Sequence, residues 1–172
     1  LLIIEPKVHG DARGFFLETW NRGRYREAGL DVDFVQDNVS FSRRGTLRGL
    51  HFQNPNPQGK LLQVLQGEDF DVAVDSRRSS STFGKWQGLL LSGENKRQFY
   101  VPPGFAHGFL VLSETALFHY KCTGFYLPKD EISVWWNDPD IGIKWPLQEP
   151  LVSERDAKGL RFRDLPPDRL FA

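Results

Sequence analysis

The side chains in this sequence whose ordinary pKa lies close to neutrality are four histidines, His9, His51, His107 and His119, and general acid–base chemistry is what such groups do well. His51 stands in the run Gly49-Leu50-His51-Phe52-Gln53, with Arg48 before it and Lys60 after it across the polar loop from Asn54 to Gly59. A base flanked by fixed cations suits proton abstraction beside a carbonyl, because the enolate formed carries negative charge on oxygen and needs a donor. The same spacing also describes a core histidine between two solvated charges, and spacing alone leaves both readings open. Strict strand alternation puts Leu47, Gly49, His51 and Gln53 on one face and Arg48, Leu50 and Phe52 on the other. Arg48 and His51 can then share a pocket only if Gly49 breaks the pleat as a bulge. In Leu117-Phe118-His119-Tyr120-Lys121-Cys122, Tyr120 shares a face with Phe118 and Cys122. That makes Tyr120 the candidate for the interior and a possible proton donor, while His119 points the other way.

Metal binding is the other common use of histidine. The segment Pro102-Pro103-Gly104-Phe105-Ala106-His107 resembles the second metal motif of the cupins, which places a His ligand shortly after a Pro-x-Gly turn. The partner motif, two histidines one residue apart followed by a Glu, is absent; Gln53 stands two residues beyond His51. His51 and His107 without a supporting pair fall short of the three or four ligands a catalytic metal needs, so the expectation is a site with no metal and no cofactor.

The elements that must position these groups read as β-strands. Fourteen Phe, sixteen Gly and eleven Pro, with short alternating segments between them, argue for an antiparallel β-rich fold. Lys60 to Asp75 reads as a hairpin about Gln66-Gly67-Glu68 with one buried face, Phe70, Val72 and Val74 alternating against Asp69, Asp71 and Ala73. Trp86 to Leu91, Gln98 to Val101, His107 to Leu112 and Ala116 to Thr123 are further strand candidates. Asn21 to Ala28 before Gly29 reads as a short helix, and Ser153 to Lys158 as another opened by a capping box. With 172 residues and no composition shift, the expectation is one domain over 1–172, a barrel or jelly roll with a few flanking helical turns.

Composition narrows the partners. Twenty-two Lys and Arg balance twenty-two Asp and Glu, so no net positive field holds a nucleic acid by counterion release. No stretch approaches the roughly 18 apolar residues of a membrane span, and the N-terminus lacks a basic-then-apolar signal pattern. The single cysteine, Cys122, excludes an intrachain disulfide and suits a reducing cytoplasm; its strand-like flanks make it a small buried hydrophobe.

Longer motifs carry a resemblance that spacing does not. GDARGFFLETWN, FVQDNVSFS, TLRGLHFQ with QGK after it, DVAVDSR, STFGKWQGLLLSGENKRQFYVPPGFAHGF, YKCTGFYLPKDE and WNDPDIGIKWP, in that order from about Ile4 to about Asp156, resemble the dTDP-4-dehydrorhamnose 3,5-epimerase family. The resemblance implies an all-β, cupin-like double-stranded β-helix that is metal-free, forms a homodimer, and converts dTDP-4-dehydro-6-deoxy-D-glucose to dTDP-4-dehydro-L-rhamnose. Carried over position by position, it puts the catalytic base on His51 and its orienting carboxylate on Asp156. Lys60 matches the group that stabilises the enolate oxygen and Tyr120 the general acid. The nucleotide-binding positions fall on Arg13 and Glu18 of RGFFLE, on Gln36 and Asn38 of VQDN, and on Arg48, His107, Glu131 and Arg155, with Tyr126 stacking on thymine. Those at RGFFLE are expected to reach into the neighbouring subunit's pocket.

Three departures from the family pattern lie away from base and acid. Arg155 stands where Lys is common, Phe125 replaces one tyrosine of a Tyr-Tyr pair, and SSSTFG lacks the usual Pro. Without the resemblance, Asp156, three residues after Ser153, reads as a capping-box carboxylate. Trp135 and Trp136 read as packing residues, and His9 and His119 match no catalytic position. Two other functions fit parts of the sequence: a relative inverting only C3 or only C5, and a non-catalytic nucleotide-sugar binding module.

Overall fold

A computed structural model describes residues Leu1–Ala172. In chain order the strands are β1 (Leu2–Ile4), β2 (Val8–Asp11), β3 (Gly14–Leu17), β4 (Gln36–Arg43), β5 (Leu47–Gln53) and β6 (Lys60–Gln66). They continue with β7 (Glu68–Asp75), β8 (Trp86–Ser92), β9 (Gln98–Val101), β10 (Phe105–Val111), β11 (Thr115–Cys122) and β12 (Glu131–Ser133). Two short helices, α1 (Arg22–Glu27) and α2 (Glu154–Ala157), flank them. One sheet has the order β1-β9-β6-β11-β4, the other β12-β5-β10-β7-β8, and β2 and β3 form a separate hairpin. The pairings within these sheets are antiparallel. This is the all-β, cupin-like jelly roll of two facing sheets. No helix is long and apolar enough to cross a membrane.

The hydrophobic pattern closes three layers. Between the sheets, Leu62, Val64, Phe99 and Phe118 from one wall pack against Leu91, Phe109 and Val111 from the other. Behind the second sheet, Leu47, Leu50, Phe52, Val72 and Val74 are covered by Ile141, Ile143, Trp145 and Phe162 of the C-terminal segment. Behind the first, Leu61 and Tyr100 meet Leu30, with Trp20 and Tyr25 packed alongside. Both short helices form where their caps stand. The Asn21 side chain accepts the Arg24 N–H to open α1, and Gly29 follows its end at a φ of 98°.

The hairpin expected over Lys60 to Asp75 does not form. Gly67, at a φ of 84°, carries the chain from one sheet to the other; β6 pairs with β9 and β11, and β7 with β10 and β8. A Cβ on Gly67 would lie 2.1 Å from the Thr115 carbonyl oxygen, so this corner accepts only glycine. The alternation was legible, but its meaning changes: Phe70, Val72 and Val74 face the C-terminal cover, and Asp69, Asp71 and Ala73 face the space between the sheets. Both faces of β7 are therefore buried.

Asp69 is fully buried and neither carboxyl oxygen has a hydrogen-bond partner. Burial, reinforced by the neighbouring Asp71 and Glu68 carboxylates, raises its pKa well above the usual value. The folded chain then keeps a proton that the unfolded chain releases above pH 4, so stability falls as pH rises through that window and stays low above the raised pKa. Asp69→Val removes this slope. A buried unsatisfied polar group costs about 1–3 kcal/mol in either protonation state, so we expect the variant to melt several degrees higher at pH 7 and to exceed wild type by a smaller margin near pH 4, where no ionisation cost is added. Thermal unfolding at the two pH values checks this; a lower melting temperature at pH 7 would show that Asp69 has an effective partner.

Candidate active site

A cavity of about 570 Å³ opens between the two sheets. Its position follows from the bulge in β5. His107 of β10 pairs with His51 and Phe109 with Arg48, so one residue of β10 is opposed by two of β5, Gly49 and Leu50. The extra residue shifts the alternation by one. Leu47, Leu50 and Phe52 turn to the outer core, while Arg48 and His51 both line the cavity. Gly49 adopts a φ of 116°, and a Cβ there would lie 2.6 Å from Gly108 Cα. Strict alternation is thus overturned where Gly49 was expected to break it.

His51 Nε2 lies 2.6 Å from Asp156 Oδ1. Asp156 Oδ2 accepts the Gly49 N–H at 3.4 Å, tying the carboxylate to the bulge that orients its histidine. Half of the expected capping box is present: Ser153 Oγ accepts the Asp156 N–H at 3.1 Å. The carboxylate does not return to the cap but turns to His51. Burial alone would raise the Asp156 carboxyl, yet the hydrogen bond and charge of His51 outweigh it and hold the pKa below the usual range. The other ring nitrogen, Nδ1, is left for a ligand, with Glu131 Oε1 at 3.7 Å.

The facing wall is supplied by the other sheet. Tyr120 on β11 and Lys60 at the start of β6 line the cavity opposite His51. Burial, reinforced by Cys122 and Glu131, pushes Tyr120 up to about 12, so its hydroxyl carries its proton at neutral pH. Burial lowers Lys60, an effect opposed by nearby Cys122, Glu131 and Asp71. Phe109 and Phe118 stack at 4.1 Å beside these groups.

His107 is buried, and its Nε2 lies 3.0 Å from both oxygens of Asp71. Burial, reinforced by electrostatic repulsion from Lys60 and His51, depresses His107 well below the usual histidine value, while burial raises Asp71. Burial thus opposes charge on both members of the pair. Asp71 was missed from sequence as a site residue; the signal was an acid on the face of β7 that alternation assigned to solvent. Cys122, expected as a small buried hydrophobe, is buried but also lines the cavity, where Asn38 Nδ2 approaches its sulfur at 3.6 Å.

At the mouth, Tyr126 donates its hydroxyl to Glu131 Oε2 at 2.6 Å, and the same oxygen takes the Arg155 guanidinium. Gln36 Oε1 accepts the Tyr126 N–H at 2.9 Å. Arg48 donates to Ser42 Oγ at 3.1 Å. Of the site residues expected from sequence, Gln36, Asn38 and Arg48 thus join His51, Lys60, His107, Tyr120, Tyr126, Glu131, Arg155 and Asp156 around one cavity.

Arg13 and Glu18 do not join them. Arg13 pairs with Asp11 at 2.6 Å on the hairpin, and Glu18 with Arg24 at 3.1 Å. His9 and His119 also lie outside the cavity, His119 bonded to Gln63 at 2.9 Å. No point in the chain brings three His, Cys, Asp or Glu into a metal-binding group.

The arrangement can remove a proton from one side of a bound molecule with an oriented imidazole, stabilise negative charge with a buried cation, and deliver a proton from the opposite side. Comparison with known proteins agrees with that chemistry. Residues 1–164 match the family described as dTDP-4-dehydrorhamnose 3,5-epimerase. The chain is 56% identical over 166 residues to the enzyme of that name from Pseudomonas aeruginosa, covering 95% of this chain and 92% of the relative. It is 53% identical over 168 residues to the one from Methanothermobacter thermautotrophicus, covering 96% and 91%. It is also similar to the crystal structure of a dTDP-6-deoxy-D-glucose-3,5-epimerase from Legionella pneumophila in complex with dTDP-4-keto-L-rhamnose. There the TM-score is 0.96 at 53% identity, covering 98% of this chain and 91% of that one.

Proposed function

Because the chain belongs to the dTDP-4-dehydrorhamnose 3,5-epimerase family, we propose that His51 and Tyr120 are the base and acid with which it inverts its substrate. The protein is an isomerase that epimerises C3 and C5 of dTDP-4-dehydro-6-deoxy-D-glucose to give dTDP-4-dehydro-L-rhamnose. The C4 ketone acidifies the protons on C3 and C5, and inverting either centre means removing a proton from one face and returning one to the other. His51 takes the proton at Nδ1 while Asp156 holds the ring and balances the imidazolium charge. Lys60 stabilises the enolate oxygen, and Tyr120 delivers its proton from the facing sheet. Positioned acid–base catalysis contributes about a hundredfold to ten-thousandfold and an oxyanion donor a similar factor, so the set suffices without a cofactor. The observation that carries this reading is the 2.6 Å bond between His51 and Asp156 on the wall facing Tyr120.

The dTDP end lies at the mouth in this reading. Arg48 and Arg155 match phosphate oxygens, Tyr126 stacks on the base, and Gln36, Asn38, His107 and Glu131 complete the polar lining. Arg155 in place of the commoner Lys gives three separate donor contacts, to Glu131, Ser133 and Tyr126, that an ammonium could not hold in one plane.

A second copy of the chain completes the assembly. Phe15 and Phe16 on the β2–β3 hairpin are 60% and 70% exposed, and Val39 and Phe41 on β4, a strand with a partner on one side only, are 60% and 66% exposed. Apolar surface of that extent calls for cover, and a homodimer in which the hairpin brings Arg13 and Glu18 to the neighbouring cavity supplies it. The reduced Cys122 fits the cytoplasm as the compartment.

A proton NMR time course in D2O tests the reading. Deuterium should enter both C3 and C5 as dTDP-4-dehydro-L-rhamnose forms. Exchange at one carbon alone would make the protein a single-centre epimerase, and exchange at neither would make it a binding module.

A further inference from the structure

Two inversions by one base and one acid raise a requirement that one inversion does not. When His51 has taken a proton from carbon and Tyr120 has given its own to the opposite face, the sugar is inverted at one centre. The enzyme is left with an imidazolium and a phenolate. The second centre cannot be inverted until His51 has lost its proton and Tyr120 has regained one. The path for the second transfer is short for Tyr120, which faces the cavity and can take a proton from water there. His51 is held more closely: Nε2 is closed off by Asp156, and the nitrogen that took the proton, Nδ1, has Glu131 Oε1 at 3.7 Å.

Glu131 is placed to continue the path. Its side chain is 10% exposed, and its other oxygen, Oε2, accepts the hydroxyl of Tyr126, a residue 43% exposed at the mouth. We propose that Glu131 and Tyr126 form the proton relay that resets His51 between the first and second inversions, by a path from Nδ1 through the Glu131 carboxylate and the Tyr126 hydroxyl to water. The proposal rests on the reading of His51 as base and Tyr120 as acid. A movement of about 1 Å closes the 3.7 Å gap to a hydrogen bond. The proton passes from Nδ1 to Oε1; the carboxyl and the Tyr126 hydroxyl, which at rest donates to Oε2, then turn so that the carboxyl gives its proton to the Tyr126 oxygen as that hydroxyl releases its own to solvent. Water protonates the Tyr120 phenolate, and the hydroxide left behind is neutralised by the proton released at Tyr126, so the net reset moves one proton from His51 to Tyr120 through solvent.

The test separates the two inversions. Wild type, Glu131→Gln and Tyr126→Phe are mixed with saturating dTDP-4-dehydro-6-deoxy-D-glucose, so that changes in affinity drop out. Samples are quenched over time with borohydride, which reduces the ketone and fixes both centres, and singly and doubly inverted sugars are counted. Glu131→Gln should raise the ratio of singly to doubly inverted sugar at least tenfold at equal conversion, because the amide cannot take the proton. Tyr126→Phe, which keeps the ring but loses the hydroxyl, should raise it by a smaller factor. An unchanged ratio in both variants, whatever happens to the overall rate, overturns the relay and assigns Glu131 to ligand binding alone. Failure of the underlying reading looks different: wild type would then give no doubly inverted sugar, or His51→Asn would retain its rate.

Discussion

His51→Asn lowers turnover by at least about a hundredfold, which corresponds to roughly 2.7 kcal/mol of barrier. Asn fills a similar space and can still donate to Asp156, so the bulge at Gly49 and the seat of α2 survive. What it lacks is a nitrogen that accepts a proton from carbon. The groups at the mouth, Arg155 and Tyr126, bond to Glu131 and not to His51, and dTDP affinity should therefore stay within a few fold. Turnover followed by NMR and dTDP binding by calorimetry give the two numbers. Retention of more than about a tenth of the wild-type rate would remove His51 from the role of base.

Tyr120→Phe should separate removal of the proton from inversion. His51 can take a proton and return a solvent-derived one on its own face without Tyr120, so the variant should still wash deuterium into the substrate. Inverted product should fall by about a hundredfold or more, since the opposite face then has no donor except water. Because burial holds the Tyr120 hydroxyl protonated until about pH 12, the wild-type enzyme should keep this donor throughout the neutral and mildly alkaline range. The ratio of exchange to inversion in D2O is the readout. Equal loss of both would mean that Tyr120 supports enolisation itself, for instance by bonding the C4 oxygen, and the assignment of one group to each face would be withdrawn.

Much of the fold was legible because each short segment carries its own signal. Periodicity of two located β8, β9, β10 and β11 to within about two residues, and Asn21 and Ser153 announced the helices that they cap. The interior position of Tyr120 followed from the same alternation, since nothing interrupts the pleat of β11 between Phe118 and Cys122. Composition carried the absence of a net basic field and of an apolar span, and the ordered run of long motifs carried the family. These properties depend on residue type and near-neighbour spacing, and a one-dimensional string holds both.

Pairing decided the rest. Whether Gly67 closes a hairpin or turns the chain into another sheet depends on which strands lie beside β6 and β7, and those are β9, β11, β10 and β8, whose paired residues lie as far apart in the chain as Lys60 and Cys122. Once β7 was flanked on both sides, its Asp69 and Asp71 had no route to solvent. One became the partner of His107 and the other a buried acid without a partner. Asp156 is the clearest case. Its neighbours Ser153 to Lys158 specify a capped helical turn and nothing more; its role comes from His51, 105 positions earlier, which the bulge at Gly49 swings to within 2.6 Å. Sequence could name the groups that do chemistry, because chemistry belongs to residue types. It could not say which carboxylate meets which imidazole, because that distance is set by sheet register and burial, which exist only after the two sheets have closed on each other.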